Sequence, residues 1–148
     1  MNALEISASA LEAQRIRMEV AAHNLANVQT TRATKAADGS WMPYRRRQVI
    51  FRPLLQDALQ GLGLGQGRGG RAAGGVEVAR IEEDRSDFRL QHDPGHPDAD
   101  EQGNVRMPNV DPMMEMVDMM EASRAYEANV TAMDAAKTMA SSALRLLA

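Results

Sequence analysis

Residues 4–25 read Leu-Glu-Ile-Ser-Ala-Ser-Ala-Leu-Glu-Ala-Gln-Arg-Ile-Arg-Met-Glu-Val-Ala-Ala-His-Asn-Leu. Within them Leu4, Ala8, Leu11, Arg15, Met18, Ala22 and Leu25 are spaced alternately by four and three positions. That is the a/d repeat which gives a helix one apolar stripe for a partner helix. Only Arg15 interrupts it. Asn2 followed by Glu5 forms a variant of the capping box and predicts a helix start near Ala3. The polar run Gln29, Thr30, Thr31 predicts its end.

The last part of the chain mirrors the first. Asp111 is placed to cap a helix whose first position is Pro112, where a missing N–H costs nothing because that group has no helical partner anyway. From Met113 to Leu147 there is no Gly or Pro, which predicts one helix of about 36 residues, ~54 Å long. Its stripe runs Met113, Met116, Met120, Ser123, Glu127, Val130, Met133, Lys137, Ala140, Leu144 and Leu147. A small domain cannot cover a stripe of that length, so it is expected to pair with the first helix and then with neighbouring molecules.

Between the helices the period changes. Residues 41–51 read as a strand entered after a turn at Asp38-Gly39, residues 76–81 alternate as a second strand, and Asp87–Gln91 form a third candidate. The stretch from Gly61 to Gly75 holds eight of the eleven glycines and reads as a loop. Residues 92–110, rich in Pro, Gly and Asp, read as a connection. The predicted fold is therefore mainly α with a small β insert. A coiled-coil helix over 1–31 and another over 111–148 pair with each other, and a β-rich domain over 32–110 carries the loop 61–75. The residues expected to form the assembly interface are Leu4, Leu11, Met18 and Leu25 with Met116, Met120, Val130, Met133, Leu144 and Leu147.

Composition supports packing along helices over a large globular centre. Of 148 residues 44% are hydrophobic but only 3% aromatic, so Ala, Leu, Val and Met must fill whatever core exists. No cysteine is present, which removes disulfides, thiolate metal sites and thiol nucleophiles. The net charge of -3 conceals a division. Residues 32–71 carry eight basic and two acidic side chains, whereas residues 77–127 carry five basic and fourteen acidic ones, an asymmetry suited to head-to-tail contact between copies. No apolar run is long enough to span a membrane. Residues 1–10 contain Glu5 and no basic lead-in, so a cleaved secretory signal is not expected.

Signals of chemistry are weak. His92-Asp93-Pro94-Gly95-His96-Pro97-Asp98-Ala99-Asp100-Glu101 gathers metal-ligand types. As a calcium loop beginning at Asp98, however, it has Asn109 where a bidentate Glu is required, and Pro94 and Pro97 spoil any helical His92/His96 pair. Asp, Pro and Gly are turn residues first. Gly65, Gly67 and Gly70 fit a dinucleotide fingerprint only as far as any glycine-rich run does, with no βαβ unit around them. Arg45-Arg46-Arg47 beside Tyr44 and Phe51 is too short a basic run to indicate nucleic acid in an acidic chain. Seven of the eleven methionines lie in the last helix, where Met is adaptable packing before it is a copper ligand. His23 has no nucleophile near it in sequence. No catalytic residue, cofactor, metal, nucleic acid or small-molecule substrate is expected. A soluble helical-hairpin adaptor or secretion chaperone is the alternative, and a metal-dependent enzyme using His92, His96 and Asp98 stands third.

Ile6 through Met18, Ala22-His-Asn-Leu-Ala-Asn27 with Thr30-Thr31, Pro43-Tyr-Arg-Arg46, His92 through Asp100, Met107-Pro-Asn-Val110, Glu115-Met116 and Arg124-Ala-Tyr-Glu-Ala-Asn129 form a set of short stretches. Together they resemble the flagellar rod and hook axial-protein family. The resemblance implies a structural subunit of the proximal rod in the basal body, whose terminal helices pair as coiled coils lining an axial tube with a small β domain outside. It further implies passage through the flagellum's type III export apparatus without cleavage. Expected partners are other proximal-rod proteins, the distal-rod protein, the inner-membrane ring with its adaptor, and copies of the chain itself.

Overall fold

The computed structural model describes residues 3–37, 39–54 and 74–147, with the side chains of residues 3, 146 and 147 outside that description. Asn2 of the predicted capping box, Asp38 of the predicted turn and residues 61–73 of the glycine-rich stretch lie outside the described residues.

The chain opens with helix α1, Ala3–Ala26, and closes with helix α2, Pro112–Leu147. Helix α2 starts where Asp111 and Pro112 put it. The Asp111 carboxylate accepts the Met113 amide at 2.9 Å, and the Asp111 carbonyl accepts the Glu115 amide at 3.0 Å, which satisfies donors that a helix start leaves open. Helix α1 stops before the predicted Gln29–Thr31 end. The Asn27 side chain donates to the His23 carbonyl at 2.8 Å, and this local bond competes with continuing the helix.

Among the described residues six short strands lie between the helices: β1 Thr34–Lys35, β2 Trp41–Met42, β3 Arg47–Pro53, β4 Val76–Glu83, β5 Arg89–His92 and β6 Asn104–Met107. They pair as three separate antiparallel ribbons, β1 with β2, β3 with β4 and β5 with β6. Two expected segments differ from the structure, and one strand is additional. The strand expected over 41–51 is two, because Pro43 has no N–H to give a ladder and Tyr44 to Arg46 turn away to meet the helices. The connection expected over 92–110 contains β6, whose Asn104 and Met107 pair with His92 and Arg89. Strand β1, two residues long, is too short for alternation to reveal. The turn at Gly39 is where it was expected, with φ +84° at Gly39, a conformation that costs glycine nothing.

Helices α1 and α2 lie antiparallel, as Asn24 meets Glu115 and Arg17 meets both Asp118 and Glu121. Helix α1 also touches a ribbon through Ser9, whose hydroxyl accepts the Val76 amide at 3.1 Å. The buried interior is thin. Its apolar members are Ala13, Ala21, Tyr44, Val105, Val110 and Ala122, and two of its largest fully buried side chains are Glu115 and Asn24. It sits where the base of the helix pair meets the ribbons, so what closes this fold is largely polar.

Candidate assembly surface and the polar clasp beneath it

Asn24 is the centre of the junction. Its Nδ2 donates to the Arg47 carbonyl at 2.7 Å and to Glu115 Oε2 at 3.0 Å. Its Oδ1 accepts the Tyr44 hydroxyl and the Arg47 amide, both at 2.9 Å. An asparagine amide has two donors and two acceptor positions, and all four are used. The side chain engages the Arg47 peptide from both sides, as a neighbouring strand does.

Glu115, 1% exposed, sits between two donors. Its Oε1 takes Arg46 Nε at 2.5 Å while its Oε2 takes Asn24. Arg46 Nη2 continues to Asp118 Oδ2 at 3.2 Å, and Asp118 Oδ1 accepts Arg17 Nη2 at 2.6 Å. On the other side the Arg46 amide donates to Asn109 Oδ1 at 2.8 Å, and Asn109 Nδ2 reaches the Asp84 carbonyl at 3.1 Å and the Ser86 hydroxyl at 2.8 Å. One connected network thus joins α1, the segment before β3, the loop after β4, the residues after β6, and the first two turns of α2. Burial opposes the charge of Arg46, but the hydrogen bond and charge of Glu115, with Asp118 and Asp84 behind them, outweigh it and hold the guanidinium above its ordinary value. Burial also pushes the Tyr44 hydroxyl up, against the pull of Arg47. Complete pairing of this kind is what makes a buried charge tolerable.

The segment His92–Glu101 folds as the loop between β5 and β6. Asp100 Oδ1 accepts the amides of Gln102 and Asn104 at 2.9 and 2.8 Å, and Gly103 has φ +77°. Asp98 accepts the Thr31 hydroxyl at 2.8 Å and Arg32 Nε at 2.7 Å, which ties the loop to the exit of α1. Hydrogen bonds from Arg32 and Thr31 hold the Asp98 carboxyl below its usual range. These acids are engaged in turn and tether bonds. No cluster of three or more metal-ligand side chains occurs among the described residues.

None of the residues expected to form the interface is fully buried among the described side chains. On α1 the buried positions are Ala13, Ala21 and Asn24, whereas Leu4, Leu11, Met18 and Leu25 are half-buried. On α2 the buried positions are Glu115 and Ala122, while Met116 is 45% exposed, Met120 54%, Val130 37% and Leu144 69%. Met133 is half-buried, and Leu147 is described only as the last residue of the helix. Met113, Met114 and Val117 add to the exposed apolar surface. Helix α2 has 36 residues against 24 in α1, and residues 137–145 are exposed throughout.

Residues 4–34 match the family described as "Flagella basal body rod protein", and residues 101–146 match "Flagellar basal body rod FlgEFG protein C-terminal". The chain is 49% identical to the flagellar basal-body rod protein FlgC of Bacillus subtilis, over 98% of this chain and 96% of that one. It belongs to the FlgC family. The FlgC proteins of Borreliella burgdorferi and Salmonella typhimurium are 41% and 42% identical, over 99% and 94% of this chain and 96% and 91% of theirs. As a FlgC-family member the chain is a structural subunit of the flagellar basal-body rod and not an enzyme. The clasp residues escaped a reading aimed at apolar stripes. A signal for them was nonetheless present, since Asn24, Tyr44, Arg46, Asn109 and Glu115 all fall in the short stretches that carry the family resemblance.

Proposed function

We propose that the chain is a proximal-rod subunit whose two long helices polymerise into a tube that carries motor torque to the distal rod. On this reading residues 1–31 and 111–148 form a coiled-coil α domain, with residues 32–110 as a β-rich domain outside it. Leu4, Leu11, Met18 and Leu25, with Met116, Met120, Val130, Met133, Leu144 and Leu147, are then the side chains that neighbouring subunits cover. The observation that carries this reading is the row of exposed apolar side chains on α2, directly above a clasp whose polar groups are already paired. Met, Val and Leu at helical spacing that are only partly covered, 37–69% exposed, release about 1–2 kcal/mol per side chain when fully buried.

Neighbours are other proximal-rod proteins, the distal-rod protein, the inner-membrane ring with its adaptor, and further copies of the chain. The family resemblance supports these, together with passage through the flagellar type III apparatus without a cleaved signal. The test replaces Met120 by Asp in cells that carry no other copy. Isolated basal bodies should lack rods beyond the ring, although the purified variant keeps the circular dichroism and urea midpoint of the parent. Rods of normal length and number in that strain would remove the proposal's basis.

A further inference from the structure

We infer a register for the contact between copies: the stripe of α1 in one copy lies antiparallel along the stripe of α2 in a second copy, displaced from the pairing within a chain. The inference rests on the assembly reading above and adds to it which residues meet. Within the chain Asn24 faces Glu115, and Arg17 faces Asp118 and Glu121. That register sets Leu4 opposite a point in α2 about ten residues before Leu144, or ~15 Å short of it. The distal end of α2 is therefore left beyond the reach of its own α1, in keeping with the exposure of every residue from 137 to 145.

The two stripes have matching intervals when one is read backwards. Leu4, Ala8, Leu11, Arg15 and Met18 advance by four, three, four and three, and from Leu144 the other stripe descends through Ala140, Lys137, Met133 and Val130 by the same steps. Leu4 then meets Leu144, Ala8 meets Ala140 and Met18 meets Val130. The α1 stripe is partly open for this role: at 3.6 residues per turn it lies on the far side of α1 from Ala13 and Asn24, its members Ala8, Arg15 and Ala22 are exposed, and Leu4, Leu11, Met18 and Leu25 are half-buried.

Charge agrees with the register and selects a second copy as the occupant. Residues 137–147 carry Lys137 and Arg145 and no acid, whereas residues 3–14 carry Glu5 and Glu12 and no base. In the displaced register Glu12 flanks Lys137 and Glu5 flanks Arg145, the positions at which charged side chains select partner and direction in paired helices. Lys137 also lays its aliphatic stem against Leu11. Because α1 of one copy takes α2 of another, each copy keeps one free surface of each kind, and the contact repeats without closing on a pair.

The chain has no cysteine, so a variant carrying Leu4→Cys and Leu144→Cys has only these two thiols. Within one chain they are too far apart, since a disulfide needs Cα atoms within about 7 Å. Mild oxidation of basal bodies built from this variant should give a ladder of dimers, trimers and higher species on non-reducing gels. Incorporation with monomer alone would overturn the register while leaving the assembly reading intact. Absence of the unsubstituted chain from basal bodies would overturn that reading instead. A second pair guards against a variant that assembles poorly. Glu12→Lys should lower incorporation about two- to fivefold, the scale of a surface ion pair, and adding Lys137→Glu should restore it. A double variant no better than Glu12→Lys alone would sink the register.

Discussion

The two ends of the helix pair are built on opposite principles. At the base, Asn24 and Glu115 are buried, Arg46 is half-buried, and every bonding position of Asn24 is used. At the distal end of α2, Met139 and Leu144 stand in solvent at 67% and 69% exposure. The polar clasp at the base is paired within one chain, while Met116 and Met120 beside it stay exposed. The distal end is helical in shape but without the burial that stabilises most helices in proteins. Specificity of fold is thus concentrated where the chain is polar, and capacity for association where it is apolar, the reverse of an ordinary globular domain.

The contrast breaks first at the clasp. Glu115→Ala leaves Arg46 and Asn24 facing a buried space without an acceptor, and we expect a loss of about 3 kcal/mol. It should appear as a lower urea midpoint with an unchanged slope. Asn24→Ala strips partners from Tyr44, Arg47 and Glu115 at once and should lower stability by about 2 kcal/mol. Equal stability of either variant and its parent would mean that the junction does not hold the fold. Asp111→Ala, which removes the cap of α2, should cost about 1 kcal/mol, visible as faster amide exchange confined to the first turn. Leu144→Asp is expected to leave the isolated chain within about 0.5 kcal/mol of the parent and yet to abolish rods. A large loss of monomer stability there would show that the distal helix is already partnered within the chain.

The smallest effect concerns the tether of the β5–β6 loop. Asp98 has a folded pKa below the ordinary carboxyl value of 3.8. Its pairing with Arg32 and Thr31 therefore adds stability that is fully present above that value and is lost as pH falls through the depressed one. Carboxyl chemical shifts followed by NMR should place the Asp98 midpoint below that of Asp98 in an unfolded peptide. An ordinary midpoint would mean that the loop is untethered in solution.

What could be read from sequence follows the range of the forces involved. The start of α2 was legible because Asp111 and Pro112 act on their own neighbours. The end of α1 was placed late, since Asn27 looks like any polar residue until its amide is seen on the His23 carbonyl. Strand β6 was hidden because Asn104–Met107 is too short for alternation to outweigh the turn residues beside it. The clasp was invisible to periodicity for a different reason: Asn24 and Glu115 are 91 positions apart, and no local pattern encodes their meeting. The heptad stripes are half-buried at Leu4, Leu11, Met18 and Leu25 and mostly exposed on α2 in the single chain, because a repeat in sequence reports what a helix offers and not who takes it up.

That long separation has a consequence for the order of events in synthesis. A ribosome synthesises α1 and the described ribbons before Glu115 exists, so the acceptor that Arg46 and Asn24 require is absent for most of translation. Contacts so distant in sequence form slowly, so the junction that joins the two helices to the ribbons is the last part of the chain to close.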